Sequence, residues 1–168
     1  MLIFALFFFR QIPAKEKDTK NLESLVHFYQ TEGISLDSMQ HFFLYQNSFD
    51  WVGTKYNHNR NGLNGIDCSG FTIAVYKSTY GIELSGGSRD IIKEVDSLFK
   101  DKSKLKEGDL VFFKTKKGRV SHVGVYLMDG KFVHSTTHSG VIVSSLDEPY
   151  YKKTYYRSGR INEIQKSN

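Results

Sequence analysis

The apolar positions of this chain change their spacing near residue 100. Before that point they recur at intervals of three and four residues, the pattern of amphipathic helices. The predicted helices cover residues 22–32, 36–52, 68–80 and 89–99. From residue 109 onward, short runs of aromatic and β-branched residues favour strands instead. The predicted strands cover residues 110–113, 120–127, 132–136, 141–144 and 155–161.

Helices followed by strands with short connections indicate an α+β domain, with N-terminal helices packed on an antiparallel sheet of about five strands. The chain has 168 residues, enough for one such domain, which we expect over residues 21–168. Residues 1–20 are expected to be a possible signal segment and a flexible polar lead-in. No internal stretch reaches the roughly 18 apolar residues that a membrane span needs.

The first nine residues are apolar, and Pro13 and Ala14 precede a charged stretch that begins at Lys15. This arrangement resembles the apolar region and cleavage site of a secretory signal, although no positively charged segment precedes it. It predicts export, to the periplasm or cell envelope.

The formal net charge is +5, and residues 100–119 contain eight basic and three acidic residues. Such a segment suits an anionic polymer such as a cell wall, an acidic membrane surface, or simply a solvated loop. No arginine fork, aromatic ladder or zinc-ligand spacing accompanies it, so nucleic acid is not an expected partner.

Cys68 is the only cysteine, so it is either a small buried apolar residue or a reactive thiol. It opens a predicted helix, with Asp67 as the candidate N-cap and the small residues Ser69 and Gly70 after it. Unpaired N–H groups at a helix start stabilise a thiolate and can lower a thiol pKa to roughly 3.5–7.5. The amides of Cys68 and Ser69 could also bind an oxyanion. This neighbourhood favours a nucleophile.

A cysteine nucleophile needs a proton acceptor, usually a histidine. Of the six histidines, His122 and His134 lie on neighbouring predicted strands. His58 precedes Cys68 in a loop and could line a cleft. The other three are expected on helix surfaces or in a loop beyond the site: His27, His41 and His138.

The turn between the two strands decides whether His122 and His134 can meet. A two-residue Asp129-Gly130 loop would place the two histidines on opposite faces of the sheet. A three-residue loop, with Gly130 in a left-handed bulge position, sets His134 opposite Gly124 and diagonal to His122 on one face. We predict the three-residue loop.

Together these residues resemble the NlpC-type family of papain-like cysteine peptidases. Five blocks match in the family's order across residues 40–161: WVGTKY (51–56), GIDCSGF (65–71), LKEGDLVFF (105–113), SHVGVY (121–126) and FVH (132–134). The two positions where the family usually carries glycines after its tyrosine are Asn59 and Arg60 here. Residues 84–90 fit the family only loosely.

The resemblance implies a catalytic triad of Cys68, His122 and His134, in which His134 orients the imidazole of His122. It also implies that Tyr56 lines the site and helps to bind the oxyanion. Further candidates for oxyanion or substrate binding are Asp67, Ser69, Ser121 and Arg60. Arg60 could bind a substrate carboxylate or point into solvent, and both interpretations stay open.

The implied activity is hydrolysis of an isopeptide bond in peptidoglycan stem peptides, typically between D-glutamate and a diamino acid. We therefore expect a murein DL-endopeptidase, monomeric, without cofactor or metal, acting through a thioester on Cys68. Three alternatives remain. One is an amidase or acyltransferase of the same superfamily, acting on lipids or other amides. The others are an inactive wall-binding or regulatory module and a zinc site built from Cys68, His122 and His134.

Overall fold

A computed structural model of the chain describes residues 14–36, 41–58, 64–115 and 118–162, without the side chains of residues 14–20. The chain forms two compact units, Met1–Leu36 and Asp37–Asn168. The apolar run of residues 1–9 lies outside the described residues, as do Asn59 and Arg60.

The first unit contains helix α1, Ala14–Thr31. The lead-in expected to be flexible is therefore helical, because its lysines and glutamate are good helix formers. The helix ends as predicted near Gly33, which has a φ of 75°, and the Ile34 N–H donates to the Tyr29 carbonyl oxygen at 2.8 Å. None of the helices in the described part of the chain combines the length and apolar character needed to cross a membrane.

The described residues of the second unit contain four α-helices, α2 (Phe42–Phe49), α3 (Cys68–Tyr80), α4 (Ser88–Glu94) and α5 (Pro149–Thr154), and a short 3-10 helix over Lys102–Lys104. Helix α3 has the predicted bounds and ends at Gly81, which has a φ of 69°. Helix α2 is shorter than predicted, because turn hydrogen bonds such as Trp51 N–H to Ser48 O replace helical ones after residue 49. Residues 37–40 of the predicted helix lie outside the described residues. Helix α5 was not predicted.

Six strands form one sheet: β1 (Ser97–Phe99), β2 (Leu110–Phe113), β3 (His122–Tyr126), β4 (Lys131–Thr136), β5 (Gly140–Ser145) and β6 (Tyr155–Arg160). Their order is β1-β6-β2-β3-β4-β5, and every neighbouring pair is antiparallel. The expected α+β class is confirmed, with one strand more. Strand β1 replaces the end of the predicted 89–99 helix, because Val95 is extended and residues 97–99 pair with β6.

The hairpin between β3 and β4 has the predicted register. Val125 pairs with Val133, and the Leu127 N–H donates to the Lys131 carbonyl oxygen at 2.9 Å. Extended by one residue, this register sets Gly124 opposite His134. The turn itself is tighter than expected, since Asp129 also has a positive φ, of 51°. The Lys131 N–H closes it on the Met128 carbonyl oxygen at 2.8 Å, so Met128 is the extra residue in the bulge.

Two features fix the positions of strands β2, β3, β4 and β6 relative to their neighbours. Helix α3 packs on β3 and β4, which brings the start of the helix to the start of β3. The second feature is an ion pair between Asp109 and Arg160. The Asp109 carboxylate, which is 2% exposed, accepts two hydrogen bonds from Arg160, at 2.8 and 2.7 Å. The same carboxylate accepts one from the Lys106 amide at 2.8 Å. This ion pair joins the loop before β2 to the end of β6.

Candidate active site

Cys68 is the first residue of helix α3, and the cap before it follows the prediction. Asp67 Oδ1 accepts hydrogen bonds from the Gly70 amide at 2.7 Å and from the Ser69 hydroxyl at 2.8 Å. The Cys68 sulfur is hydrogen-bonded by the backbone amides of Val123, Ser69 and Cys68 itself. The Val123 contact places the sulfur beside the residue that follows His122.

The protonation of this thiol differs from the expectation drawn from its position. Burial raises the pKa of the Cys68 thiol above its ordinary value, and the negative charge of Asp67 acts in the same direction. The amides of Val123, Ser69 and Cys68 lower the pKa, as a helix start should, but burial outweighs them. The pKa of Cys68 is therefore raised where the helix start alone predicts that it is lowered, and this shift favours the thiol over the thiolate.

His122 and His134 lie on one face of the sheet, because the bulge at Met128 gives the strands the register that the three-residue loop predicted. The His122 Nε2 atom is 2.6 Å from the His134 Nδ1 atom. Gly124 makes room for the pair, because a Cβ atom there would lie 3.0 Å from the His134 Cβ and 2.7 Å from the Phe132 ring. The His134 side chain is fully buried, with its ring centroid 4.5 Å from that of Phe132.

Sequence reasoning missed the next two groups in this network. The His134 Nε2 atom is 3.1 Å from the Ser144 hydroxyl oxygen, and Ser144 is also hydrogen-bonded to the Tyr151 hydroxyl. Ser144 lies on β5, and Tyr151 lies on α5. The Tyr151 ring packs edge-on against the His134 ring, with centroids 5.1 Å apart. Ser144 pairs with Phe132 and lies diagonal to His134, whose direct partner is Ile142, so the only sequence signal was a polar residue on a predicted neighbouring strand.

The hydrogen bonds restrict which ring nitrogens carry protons. If His122 is to accept a proton, Nδ1 must be its unprotonated nitrogen, so its proton lies on Nε2 and is donated to His134 Nδ1. His134 then carries its own proton on Nε2 and donates it to Ser144. Both rings are neutral in this arrangement. Burial agrees with that state, since it lowers the pKa of His122 to about 4 and that of His134 well below its ordinary range.

Cys68 lies where two cavities meet. The first, of about 490 Å³, contains His122 and is lined by hydroxyl-bearing and aromatic side chains. The second, of about 850 Å³, extends past Asp67 and Ser69 to the start of α4. Both are lined by Tyr56, Cys68 and Ser121. Cys68 therefore borders both cavities.

Two of the other candidate residues are engaged within the protein. The Ser69 hydroxyl is bonded to Asp67, so both side chains serve the helix cap. The Ser121 hydroxyl is 2.6 Å from the Thr115 hydroxyl and accepts from the Thr115 amide at 3.0 Å. Ser69 and Ser121 nevertheless line the cavities, and their proposed roles in binding stay predictions.

Tyr56 lines both cavities, and its ring packs edge-on against His58 with centroids 5.2 Å apart. Partial burial raises the pKa of the Tyr56 hydroxyl, and the charges of Cys68 and Asp67 add to the shift. Tyr56 is therefore a neutral hydrogen-bond donor at neutral pH. His58 lines the second cavity.

The structure also bears on the predicted position of His138 and on the zinc alternative. His138 lines the first cavity, so its expected position beyond the site is wrong. Across the residues that the structure describes, no three side chains of His, Cys, Asp or Glu converge as metal ligands would. The zinc alternative therefore has no geometric support in those residues.

A six-stranded antiparallel sheet, with a cysteine-bearing helix packed against it, defines a papain-like α+β domain. The chain belongs to the NlpC/P60 family, whose model matches residues 46–160. A crystal structure of an NlpC/P60 family protein from Bacillus cereus superposes with a TM-score of 0.63 at 33% identity, covering 71% of this chain and 39% of that one. This family assignment agrees with the resemblance inferred from the five sequence blocks.

Curated relatives carry names that describe cell-wall enzymes. A probable endopeptidase NlpC homolog from Haemophilus influenzae is 41% identical over 115 residues, which are 67% of this chain and 58% of the relative. Murein DD-endopeptidase MepS/murein LD-carboxypeptidase from Escherichia coli K12 is 40% identical, with the same coverage of both chains. Peptidoglycan DL-endopeptidase CwlO from Bacillus licheniformis is 39% identical over 54% of this chain and 20% of its own. The matched region spans less than two thirds of each of these relatives.

Proposed function

We propose that this chain is a cysteine endopeptidase that hydrolyses an amide bond in peptidoglycan stem peptides. The observation that carries the proposal is the hydrogen-bonded pair of His122 and His134 beside a cysteine at the start of a helix. The names of the curated relatives supply the substrate class, since they are murein or peptidoglycan endopeptidases.

The first step is attack by Cys68 on the amide carbonyl carbon. Because the resting pair is a thiol and a neutral imidazole, His122 Nδ1 takes the thiol proton as the sulfur–carbon bond forms. The carbonyl oxygen becomes negatively charged. Amides at the start of α3 and the Tyr56 hydroxyl are the proposed donors to that oxygen.

The second step breaks the carbon–nitrogen bond. The imidazolium of His122 gives its proton to the leaving amine, and the acyl group remains on Cys68 as a thioester. A water molecule then attacks the thioester carbon, with His122 taking one proton from the water. The carbon–sulfur bond then breaks, and the sulfur recovers that proton from His122. The product leaves as a carboxylic acid, which ionises by releasing the second water proton to solvent.

His134 is a positioning residue in this scheme. A neutral His134 accepts a hydrogen bond from the Nε2–H group of His122, whether His122 is neutral or protonated. This hydrogen bond leaves Nδ1 of His122 as the atom that exchanges a proton with the thiol. Burial of His134 keeps its ring neutral, because burial lowers its pKa well below neutrality.

The bond that is cleaved and the cellular site belong to the same proposal. We favour the isopeptide bond between D-glutamate and a diamino acid, cleaved by a monomeric enzyme in the periplasm or cell envelope. The relatives' names include both DD- and DL-endopeptidases, so the experiment has to distinguish the two bonds.

Mass spectrometry of muropeptides tests the proposal directly. Purified peptidoglycan is incubated with wild type, with Cys68→Ser, and with Ser78→Ala as a control on the same helix outside both cavities. We expect wild type and Ser78→Ala to release fragments cut within the stem peptide, with no new glycan ends, and Cys68→Ser to release none. Cleavage between D-glutamate and the diamino acid would support the DL bond, and cleavage of the cross-link would replace it with the DD bond.

Two other outcomes would contradict the proposal. If the wild type bound peptidoglycan and released nothing, the chain would be a wall-binding module. If it acted only on lipid or other amide substrates in parallel assays, it would be an amidase or acyltransferase.

A further inference from the structure

The second cavity has two arginines in its wall. Arg89 lies in the first turn of α4, and Arg119 lies in the segment that leads into β3. Both side chains are exposed, and both line the cavity that reaches Cys68. They come from different elements, so the fold brings two cations to one groove beside the nucleophile.

The acidic residues of the same wall are already engaged. Asp67 accepts hydrogen bonds from Gly70 and Ser69. The Asp90 carboxylate accepts from the Gly87 amide at 3.1 Å and lies 3.3 Å from the Lys93 ammonium. These contacts lower the pKa of Asp90, with a smaller contribution from the charge of Arg89. Both carboxylates are thus already bonded to groups of the protein itself.

The two arginine side chains, unlike the two carboxylates, are not held by ion pairs or hydrogen bonds to other described residues. Apart from the attraction between Arg89 and Asp90, no ion pair or hydrogen bond holds either guanidinium among the described residues. Each guanidinium keeps its planar set of donors for a ligand. The first cavity offers a contrast, because no lysine or arginine is among the described residues that line it.

We propose that Arg89 and Arg119 form a subsite for a free carboxylate of the substrate, next to the scissile bond. A guanidinium matches a carboxylate with two parallel hydrogen bonds, which gives both affinity and orientation. The inference rests on the proposed function. An isopeptide bond through the γ-carboxyl of glutamate leaves the α-carboxylate of that residue free beside the reacting carbonyl, and the diamino acid carries a free carboxylate of its own.

The subsite also sets the direction in which the substrate lies. The side of the substrate whose carboxylate is recognised occupies the second cavity, and the other side of the scissile bond occupies the first cavity. Amidation of the recognised carboxylate removes its charge and one acceptor, so it should weaken cleavage without changing the reacting groups.

The experiment compares synthetic stem peptides that differ only by a carboxylate or a carboxamide, either on glutamate or on the diamino acid. Values of kcat/KM are measured for wild type, Arg89→Gln, Arg119→Gln and the double variant. Lys153→Gln removes the same charge from exposed α5, outside both cavities, and serves as the control. We expect wild type and Lys153→Gln to prefer the carboxylate at one position by about ten-fold or more. Each arginine variant should reduce that preference several-fold, and the double variant should abolish it.

Three results would overturn the inference while leaving the proposed function intact. Wild type could cleave carboxylate and carboxamide peptides equally. An arginine variant could keep the full preference, or it could lower cleavage of both peptides by the same factor. Failure of wild type to cleave any of these peptides or peptidoglycan itself would instead be a failure of the proposed function.

Discussion

The His122 Nε2 atom lies 2.6 Å from the His134 Nδ1 atom, so under the proposed function Nδ1 is the nitrogen of His122 that exchanges a proton with Cys68. The relationship depends on the β3–β4 register, because a shift of one residue would turn His134 to the opposite face. It also depends on Gly124, because a Cβ atom at that position would lie 3.0 Å from the His134 Cβ atom and 2.7 Å from the Phe132 ring.

The pH dependence of activity should follow the lowered pKa of the half-buried His122 rather than that of an ordinary histidine. His122 accepts a proton only when neutral, and burial lowers its pKa to about 4. Activity should therefore be retained as the pH falls through 6.5 and be lost only as it approaches 4. The measurement is kcat/KM against pH, which reports the ionisations of the free enzyme. An acidic midpoint near 6.5 or above would contradict the lowered pKa of His122.

The thiol itself gives a second test of the resting state. Burial raises the pKa of Cys68, so the pH midpoint for alkylation should lie above that of the unfolded chain in urea. Cys68 is the only cysteine, so the unfolded chain is a matched control. The midpoint is the relevant quantity, because restricted access slows labelling without moving it. A midpoint below that of the unfolded chain would indicate a thiolate–imidazolium pair.

Ser144→Ala should lower kcat/KM by roughly ten-fold, because a buried ring nitrogen of His134 loses its hydrogen-bond partner. Ser144→Thr keeps the hydroxyl and should recover most of the activity. Nitrogen NMR shifts of the two rings should show mixed tautomers in Ser144→Ala and the wild-type tautomer in Ser144→Thr. Equal activity in all three proteins would remove Ser144 from the positioning network.

Gly124→Ala should separate fold stability from site geometry. The added Cβ would lie 2.7 Å from the Phe132 ring and 3.0 Å from the His134 Cβ, which should destabilise the protein by about 1–3 kcal/mol. Gly159→Ala is the matched control, since its Cβ would lie 2.8 Å from Val95, away from the histidines. Denaturation should show a loss of stability in both. At temperatures where both remain folded, only Gly124→Ala should lose activity.

Asp109→Ala should destabilise the fold by about 3 kcal/mol, because it leaves the largely buried Arg160 guanidinium without its carboxylate. The exposed pair of Lys77 and Glu83 provides the comparison, and Glu83→Ala should leave the free energy of unfolding unchanged within error. Urea unfolding of both variants is the measurement. A similar small effect in both would show that the Asp109–Arg160 pair contributes no more than a surface pair.

The features that sequence analysis predicted correctly are those governed by nearby residues. The start of α3 follows from the Asp67 cap, and its end follows from Gly81. The hairpin register follows from the alternation of strand residues around a turn at Asp129 and Gly130. Each of these depends on a few adjacent positions, so local chemistry was sufficient.

The features it missed depend on contacts between distant segments. Strand β1 exists because residues 97–99 pair with residues 158–160, and no local pattern shows that. Ser144 reaches His134 from another strand, ten residues along the chain. The pKa of Cys68 is raised by what packs over the start of α3, whereas the sequence shows only the helix start that lowers it.

Cys68 stands at a junction of two cavities and not at the end of one. In a cross-linked polymer most chains are attached at both ends, and free chain ends are few. An active-site groove that continues past its nucleophile does not require a free chain end, so internal bonds of the polymer are also substrates. Under the proposed function, such an enzyme cleaves bonds within the cross-linked wall and is not restricted to its chain ends.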